Sequence, residues 1–281
     1  MNIAIIGLGL IGGSFAKAYK TKAGNRVFGA DKDKETLSYA MLSETIDGLL
    51  TDENISECEL IVLALYPEDT VKYLQEKAHL ISNNTIVIDT CGTKREVCKK
   101  CFDIAKEHGF TFVGGHPMAG VQFSGIKYSR ADMFKGASMI VVPEKLDDIW
   151  FMEKIKNMLS PMEFGNITIG TAKEHDEIIA FTSQLAHVVS SAYIKSDTAK
   201  KHHGFSAGSY KDMTRVATLN EKMWSELFLQ NSDNLMHELD NIINSLNEYR
   251  KAISEGNKQK LTELLKDGSK CKEFVDGYSD K

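Results

Sequence analysis

At 281 residues the chain has room for one large domain or two ordinary ones, and 42% hydrophobic with 26% charged residues is a soluble globular balance. A formal net charge of −5 argues against a nucleic-acid partner, for which a basic face is expected. Five scattered cysteines fit reduced thiols, no apolar run has membrane-span length, and residues 1–7 lack the marks of a secretory signal, so a cytoplasmic protein is expected.

The first half alternates short apolar runs with helical patterns. Residues 3–6, 27–30, 60–65, 85–88, 112–113 and 139–142 read as buried strands, and 165–169 is a candidate last strand. Helical patterns such as 14–20 and 70–80 lie between them. Continuous apolar strands separated by helices predict an α/β, Rossmann-type doubly wound parallel sheet covered on both faces. Near Gly170 the pattern turns all-helical, which predicts two domains, 1–170 and 171–281. In the second, Leu235, Leu239, Ile242, Leu246, Tyr249 and Ile253 form a heptad-like seam. Such a seam serves an intramolecular helix pair or a homodimer interface, and spacing does not choose between them.

Gly7-Leu8-Gly9-Leu10-Ile11-Gly12 follows the first strand and opens the first helix. A lone GxGxxG is weak evidence, but here Asp31 closes the second strand at the expected distance. Gly7 permits the tight turn, Gly9 lets the backbone approach a pyrophosphate, and Gly12 lets helix and sheet pack closely. The helix start, with Leu10 and Ile11, offers N–H groups and partial positive charge to phosphates. Asp31 would accept hydrogen bonds from ribose hydroxyls and repel a 2′-phosphate, so the expected cofactor is NAD rather than NADP, a preference that Lys32 weakens slightly.

Three further clusters could carry chemistry. His116 lies in Gly114-Gly115-His116-Pro117-Met118-Ala119-Gly120, a constrained loop at a strand end. There an imidazole can take a proton from a hydroxyl, although many loop histidines are structural. His175-Asp176 starts a helix, with Ser183 and His187 one turn apart further along. Gly208-Ser209-Tyr210-Lys211-Asp212-Met213-Thr214-Arg215 leads toward Trp224. Arg215 either captures a carboxylate bidentately or forms a surface ion pair with Asp212. Cys98 and Cys101, with Cys91 nearby, do not complete a zinc set, and no metal is expected. His202-His203 and Lys200-Lys201 read as a solvated loop.

In order and spacing these motifs closely resemble the prephenate dehydrogenase family, which includes arogenate and cyclohexadienyl dehydrogenases. The likeness rests on residues 7–14, on Asp89-Thr90-Cys91-Gly92-Thr93-Lys94, on 116–120, and on Ser124-Gly125 with Phe134-Lys135-Gly136-Ala137. It continues through His175-Asp176, 183–187, 211–215 and Trp224. The resemblance implies NAD-dependent oxidative decarboxylation of prephenate to 4-hydroxyphenylpyruvate, a step of tyrosine biosynthesis, by a homodimer. It implies His116 as the base, and Arg215 and His187, with the Gly208 loop, as substrate contacts. The chain departs from the family at three places. Cys91-Gly92 stand where Gly-Ser is usual, so the serine hydroxyl that supports the histidine is absent and Thr93 is the candidate substitute. Gln122 stands where a glutamate is frequent, at the substrate site that the resemblance implies, so charge near the substrate would differ. Ser183-Gln184-Leu185-Ala186-His187 keeps only the second histidine of its motif. Arogenate is the rival substrate. A silent NAD-binding regulator is the competing class, against which the presence of both His116 and Arg215 counts.

Overall fold

The computed structural model describes residues 1–121 and 123–277; Gln122, expected at the substrate site, lies outside the described residues. Eight strands form one sheet: β1 (Asn2–Ile6), β2 (Arg26–Ala30), β3 (Gly48–Leu49), β4 (Leu60–Leu63), β5 (Ile86–Asp89), β6 (Thr111–Pro117), β7 (Ser138–Val142) and β8 (Asn166–Ile169). Their order is β3-β2-β1-β4-β5-β6-β7-β8. All neighbours are parallel except β6 and β7, where His116 pairs with Ile140 in antiparallel register. Among the described residues the connection between those two strands holds a single 3-10 turn and no α-helix. Without a helical crossover the chain returns alongside β6 in the opposite sense. The sheet is thus the expected α/β type with one antiparallel step.

The strands are apolar throughout because both faces are covered. Ile3, Ile5, Leu60, Val62, Ile86 and Ile88 belong to one core, and Ala4, Ile6, Ile61, Leu63 and Val87 to the other. This is the two-residue alternation of a strand, with apolar residues at both phases. Helix α1 (Leu10–Lys20) brings Phe15 and Tyr19 to the first core. Helices α2 (Lys34–Leu42) and α3 (Pro67–Lys77) follow β2 and β4, and Leu74 of α3 enters the second core. Helix α4 (Arg95–His108) places Val97, Cys98, Cys101 and Ala105 there as well. The two cysteines of the Cys-x-x-Cys spacing are therefore buried packing residues. Helix α5 (Ile149–Leu159) returns to the first core.

The second half is helical: α6 (Ala172–Ile179), a π-helical turn at Ala180–Leu185, α7 (Ala186–Tyr193), α8 (Gly208–Thr214) and α9 (Glu221–Gln230). A capping box between Thr171 and Glu174 fixes the start of α6. By compactness the chain divides into Met1–Asn231 and Ser232–Lys281. The second unit is a helical hairpin of α10 (Ser232–Ser254) and α11 (Lys258–Val275), turned at Gly256 and capped by Asn257. Tyr249 of the predicted seam donates to the Leu264 carbonyl at 3.1 Å, so part of the seam serves the hairpin. Leu246 and Ile253 of the same seam stay exposed, at 60% and 64%. No helix among the described residues is long and apolar enough to cross a membrane.

Candidate active site

The glycine loop leaves β1 beside β4, where strand order reverses, and ligands bind at such a switch point outside the carboxyl ends of the strands. Gly7 has φ +86°, and a Cβ there would lie 2.4 Å from the Ala64 carbonyl oxygen. A Cβ on Gly12 would fall 1.8 Å from the Gly7 oxygen. Both glycines are required by the fold itself. Gly9 differs, since a Cβ there would meet nothing within 4 Å. The first-turn N–H groups of Leu10, Ile11 and Gly12 lack intrahelical acceptors, and no acidic side chain occupies that turn. Asp31 accepts from the Leu8 N–H at 2.7 Å and the Asp33 N–H at 2.9 Å, which ties the end of β2 to the loop. Each oxygen of that carboxylate keeps a lone pair for a ribose hydroxyl. An open backbone at Gly9, free N–H groups and an anchored carboxylate together fit a dinucleotide.

His116 stands on the same sheet edge. β1, β4, β5 and β6 are consecutive neighbours, so about 14 Å of sheet separates the glycine loop from His116. Below the histidine lies a buried ion pair. Asp89, the last residue of β5, accepts from the Cys91 N–H at 2.8 Å, the Gly115 N–H at 2.9 Å and the Lys94 ammonium. Lys94 is fully buried. Burial alone would favour its neutral form, but the Asp89 charge reverses this and raises its pKa.

The support for His116 comes from α6. His116 Nδ1 lies 2.8 Å from His175 Nε2, and His175 Nδ1 lies 2.7 Å from Asp176 Oδ1. Asp176 also accepts from the Lys94 N–H at 2.7 Å, the Arg95 N–H at 2.9 Å and Arg95 Nε at 3.3 Å. Burial works to raise the Asp176 pKa, but the hydrogen bond from His175 and those from the backbone outweigh it and the net shift is downward. Burial, then the adjacent His175 and the Lys94 cation, hold His116 well below its ordinary range. His175 is lowered as well, burial prevailing over the pull of Asp176. A half-buried imidazole kept neutral and backed by a second imidazole is equipped to accept a proton.

Neither substitute for the missing serine turns to His116. The Thr93 hydroxyl donates to Gln230 Oε1 at 2.7 Å, and the Cys91 thiol meets the Thr70 hydroxyl at 3.4 Å and the Leu65 carbonyl at 3.6 Å. Thr93 is buried and braces the Asp89–Lys94 turn against the end of α9. Gln184, in place of the lost histidine, is also buried. It donates to the Leu227 carbonyl at 3.1 Å and accepts from Asn231 Nδ2 at 2.9 Å. Asn231 in turn donates to the Asp176 carbonyl at 2.7 Å and accepts from Arg95 at 3.0 Å. This polar network locks α6 and α9 onto the turn after β5.

His187 stacks on Trp224 with ring centroids 4.0 Å apart and donates from Nδ1 to the Ser183 carbonyl at 2.7 Å. Burial first, then the nearby Arg215 cation, lowers its pKa. Arg215, at the C-terminus of α8, is exposed and forms no ion pair among the described residues, so the pairing with Asp212 is not made. Gly208 opens α8 in an exposed position. The structure thus joins His116 to His175, His187 to Trp224 with the Arg215 cation near enough to be felt, and the glycine loop to Asp31. Sequence reasoning missed the roles of His175, Lys94, Arg95 and Asn231. The adjacent His175-Asp176 and Asp89-to-Lys94 pairs were the available signal.

Residues 15–165 match the family model described as prephenate dehydrogenase, nucleotide-binding domain, and 171–267 match prephenate dehydrogenase, dimerization domain. The prephenate dehydrogenase of Bacillus subtilis (strain 168) is 28% identical over 98% of this chain and 76% of its own. The cyclohexadienyl dehydrogenase of Zymomonas mobilis is 29% identical over 96% of this chain and 94% of its own. Among solved structures, prephenate dehydrogenase from A. aeolicus, in complex with hydroxyphenyl propionate and NAD+, superimposes with a TM-score of 0.84 at 25% identity, over 98% of both chains. Synechocystis arogenate dehydrogenase shares the fold, with a TM-score of 0.80 at 23% identity over 98% of this chain and all of its own. Carried by the match along both halves and by a glycine loop and a supported histidine on one sheet edge, this chain belongs to the prephenate dehydrogenase family.

Proposed function

We propose that the protein oxidises prephenate to 4-hydroxyphenylpyruvate and carbon dioxide, with NAD as the electron acceptor. One observation carries the reading: His116, neutral and bonded through Nδ1 to His175, stands on the sheet edge that holds the glycine loop. Gly7, Gly9, Leu10, Ile11 and Gly12 would hold the pyrophosphate and Asp31 the adenosine ribose. Bound NAD supplies the hydride acceptor. His116 takes the proton of the ring hydroxyl as the carbon bearing it is oxidised. The ring carboxylate then leaves as carbon dioxide, and aromatisation drives the step. Arg215 receives a substrate carboxylate, and the His187–Trp224 stack forms a wall beside it. A base so placed contributes about 10²–10⁴-fold in rate.

Arogenate is the second reading, and one contact favours it. His187 spends its Nδ1–H on Ser183, which leaves Nε2 as an acceptor, better suited to an ammonium donor than to a keto group. The family model over residues 171–267 and the exposed Leu246 and Ile253 support 171–281 as the substrate-binding and dimerisation part of a homodimer.

The test is NADH formation by purified protein with NAD and either prephenate or arogenate. Turnover of prephenate alone is expected, arogenate alone would move the assignment to the second reading, and turnover of neither by a folded, NAD-binding sample would overturn both. His116→Asn is expected to lower kcat by at least about 10²-fold with little change in NAD affinity.

A further inference from the structure

The chain of contacts behind His116 has a direction, and the direction can be worked out from hydrogen counting. Asp176 receives four donors: the N–H groups of Lys94 and Arg95, the Arg95 side chain, and His175. A carboxylate so placed is ionised and accepts only, so the hydrogen in its contact with His175 sits on His175 Nδ1. A neutral imidazole carries one N–H, which leaves His175 Nε2 bare. The 2.8 Å contact between that nitrogen and His116 Nδ1 must hold one hydrogen, and His116 alone can supply it. A neutral His116 then has its N–H at Nδ1 and a lone pair at Nε2. Burial and the Lys94 cation keep both rings neutral.

We infer that His175, anchored by Asp176, is a positioning residue that fixes the tautomer of His116 and leaves Nε2 as the proton-accepting atom. This rests on the reading of His116 as the base. The alternative source of such an orienting contact is excluded by geometry, because the Thr93 hydroxyl is given to Gln230 and the Cys91 thiol faces Thr70 and Leu65. When His116 takes a proton, its Nδ1–H still meets an acceptor, so the cation forms without reorganisation of its partner. The charged groups around the two rings are Asp176 on α6, Asp89 at the end of β5, and Lys94 and Arg95 at the start of α4. Asp176 holds the tautomer through donors that do not rotate, since two of them are backbone N–H groups.

Two measurements test this together. Nitrogen-15 spectra of histidine-labelled enzyme with NAD bound report which nitrogen of His116 carries hydrogen, and steady-state kinetics report its use. The expected spectrum of the unaltered enzyme has His116 protonated at Nδ1 above the acid limb; a proton on Nε2 would by itself overturn the inference. His175→Phe, which removes the acceptor, is expected to lower kcat by about 10²–10⁴-fold while KM for NAD stays within about threefold. His175→Gln, whose Oε1 can reach the place of Nε2, is expected to recover at least about tenfold of that loss, which a purely packing role would not give. Turnover of His175→Phe within about threefold of the unaltered enzyme overturns the inference and leaves His116 as base. Undiminished turnover of His116→Asn would instead remove the reading beneath it. If the phenylalanine variant does not fold, the spectrum of the unaltered enzyme and the glutamine variant still decide.

Discussion

Lys94 is the least expected residue in the molecule, an ammonium with no access to solvent, five positions from its counter-charge Asp89. Removing one partner of a buried pair leaves the other charge desolvated and alone. Asp89→Asn is therefore expected to destabilise the fold by about 3–5 kcal/mol, measured by urea unfolding; a change below about 1 kcal/mol would mean that the pair is dispensable. The two histidines above it set a pH dependence. Both are lowered, so below about pH 6.5 the unfolded chain binds protons that the folded chain does not. Stability from these groups is full above that pH and is lost as pH falls through the depressed values. The proposed role of base needs His116 neutral, so the acid limb of kcat/KM is expected below the ordinary histidine range, read from a pH–rate profile. A limb at or above about 6.5 would contradict the burial described for this ring. His116 was legible in the sequence because glycines and a proline mark its stretch, although β6 runs through Pro117 and holds the histidine on a strand rather than on the expected loop. Its partner was not, since 59 positions separate the two rings and only the packing of α6 on the sheet brings them together.

At the scale of elements, the glycine loop separates two demands that a motif presents as one. Gly12 answers to the fold, because a Cβ there collides with the Gly7 carbonyl. Gly9 meets no such demand, because a Cβ there meets open space, and the proposed reading gives that space to the ligand. Gly12→Ala is accordingly expected to lower the melting temperature. Gly9→Ala should leave it within about 1–2 °C and weaken NAD binding at least about tenfold, by calorimetry and ligand titration. Equal melting losses in both variants would refute the distinction. Strands and helices around this loop were legible because apolar runs and turn residues alternate regularly. β3 was not, being two residues long, and neither was the antiparallel direction of β7, a strand that the apolar run at 139–142 had marked. Strand periodicity carries no direction; only the missing helix between 118 and 137 hints at it.

At the scale of the molecule, the composition changes near Gly170, whereas the compact unit continues to Asn231. The difference has a cause in particular contacts. Asp176, Gln184 and Asn231 are tied by hydrogen bonds to each other and to the start of α4, so α6 and α9 fold with the sheet although their sequence reads as a separate helical region. Substrate contacts are expected from this attached region, and Arg215→Ala should raise KM for the substrate about tenfold or more, with a smaller effect on kcat. An unchanged KM would place the carboxylate elsewhere. The hairpin of α10 and α11 leaves Leu246 and Ile253 on an exposed stripe. Replacing both with glutamate is expected to convert the proposed homodimer to monomer in analytical ultracentrifugation; an unaltered sedimentation profile would remove this stripe from the proposed interface.

The π-helical turn at Ala180–Leu185 lies between His175 and His187, twelve positions apart in the chain. Twelve steps of a regular α-helix, at about 100° each, would set the two rings about 120° apart around the axis. A π turn absorbs one residue, so the pair behaves as if eleven steps apart, a difference of about 20°. The wide turn thus works as a phase corrector, like a leap day that brings a calendar back into step. Length here is more forgiving than it looks. Deleting the exposed Thr182 would let the segment relax to an ordinary helix with both histidines still in phase, whereas inserting a residue would drive them out of it.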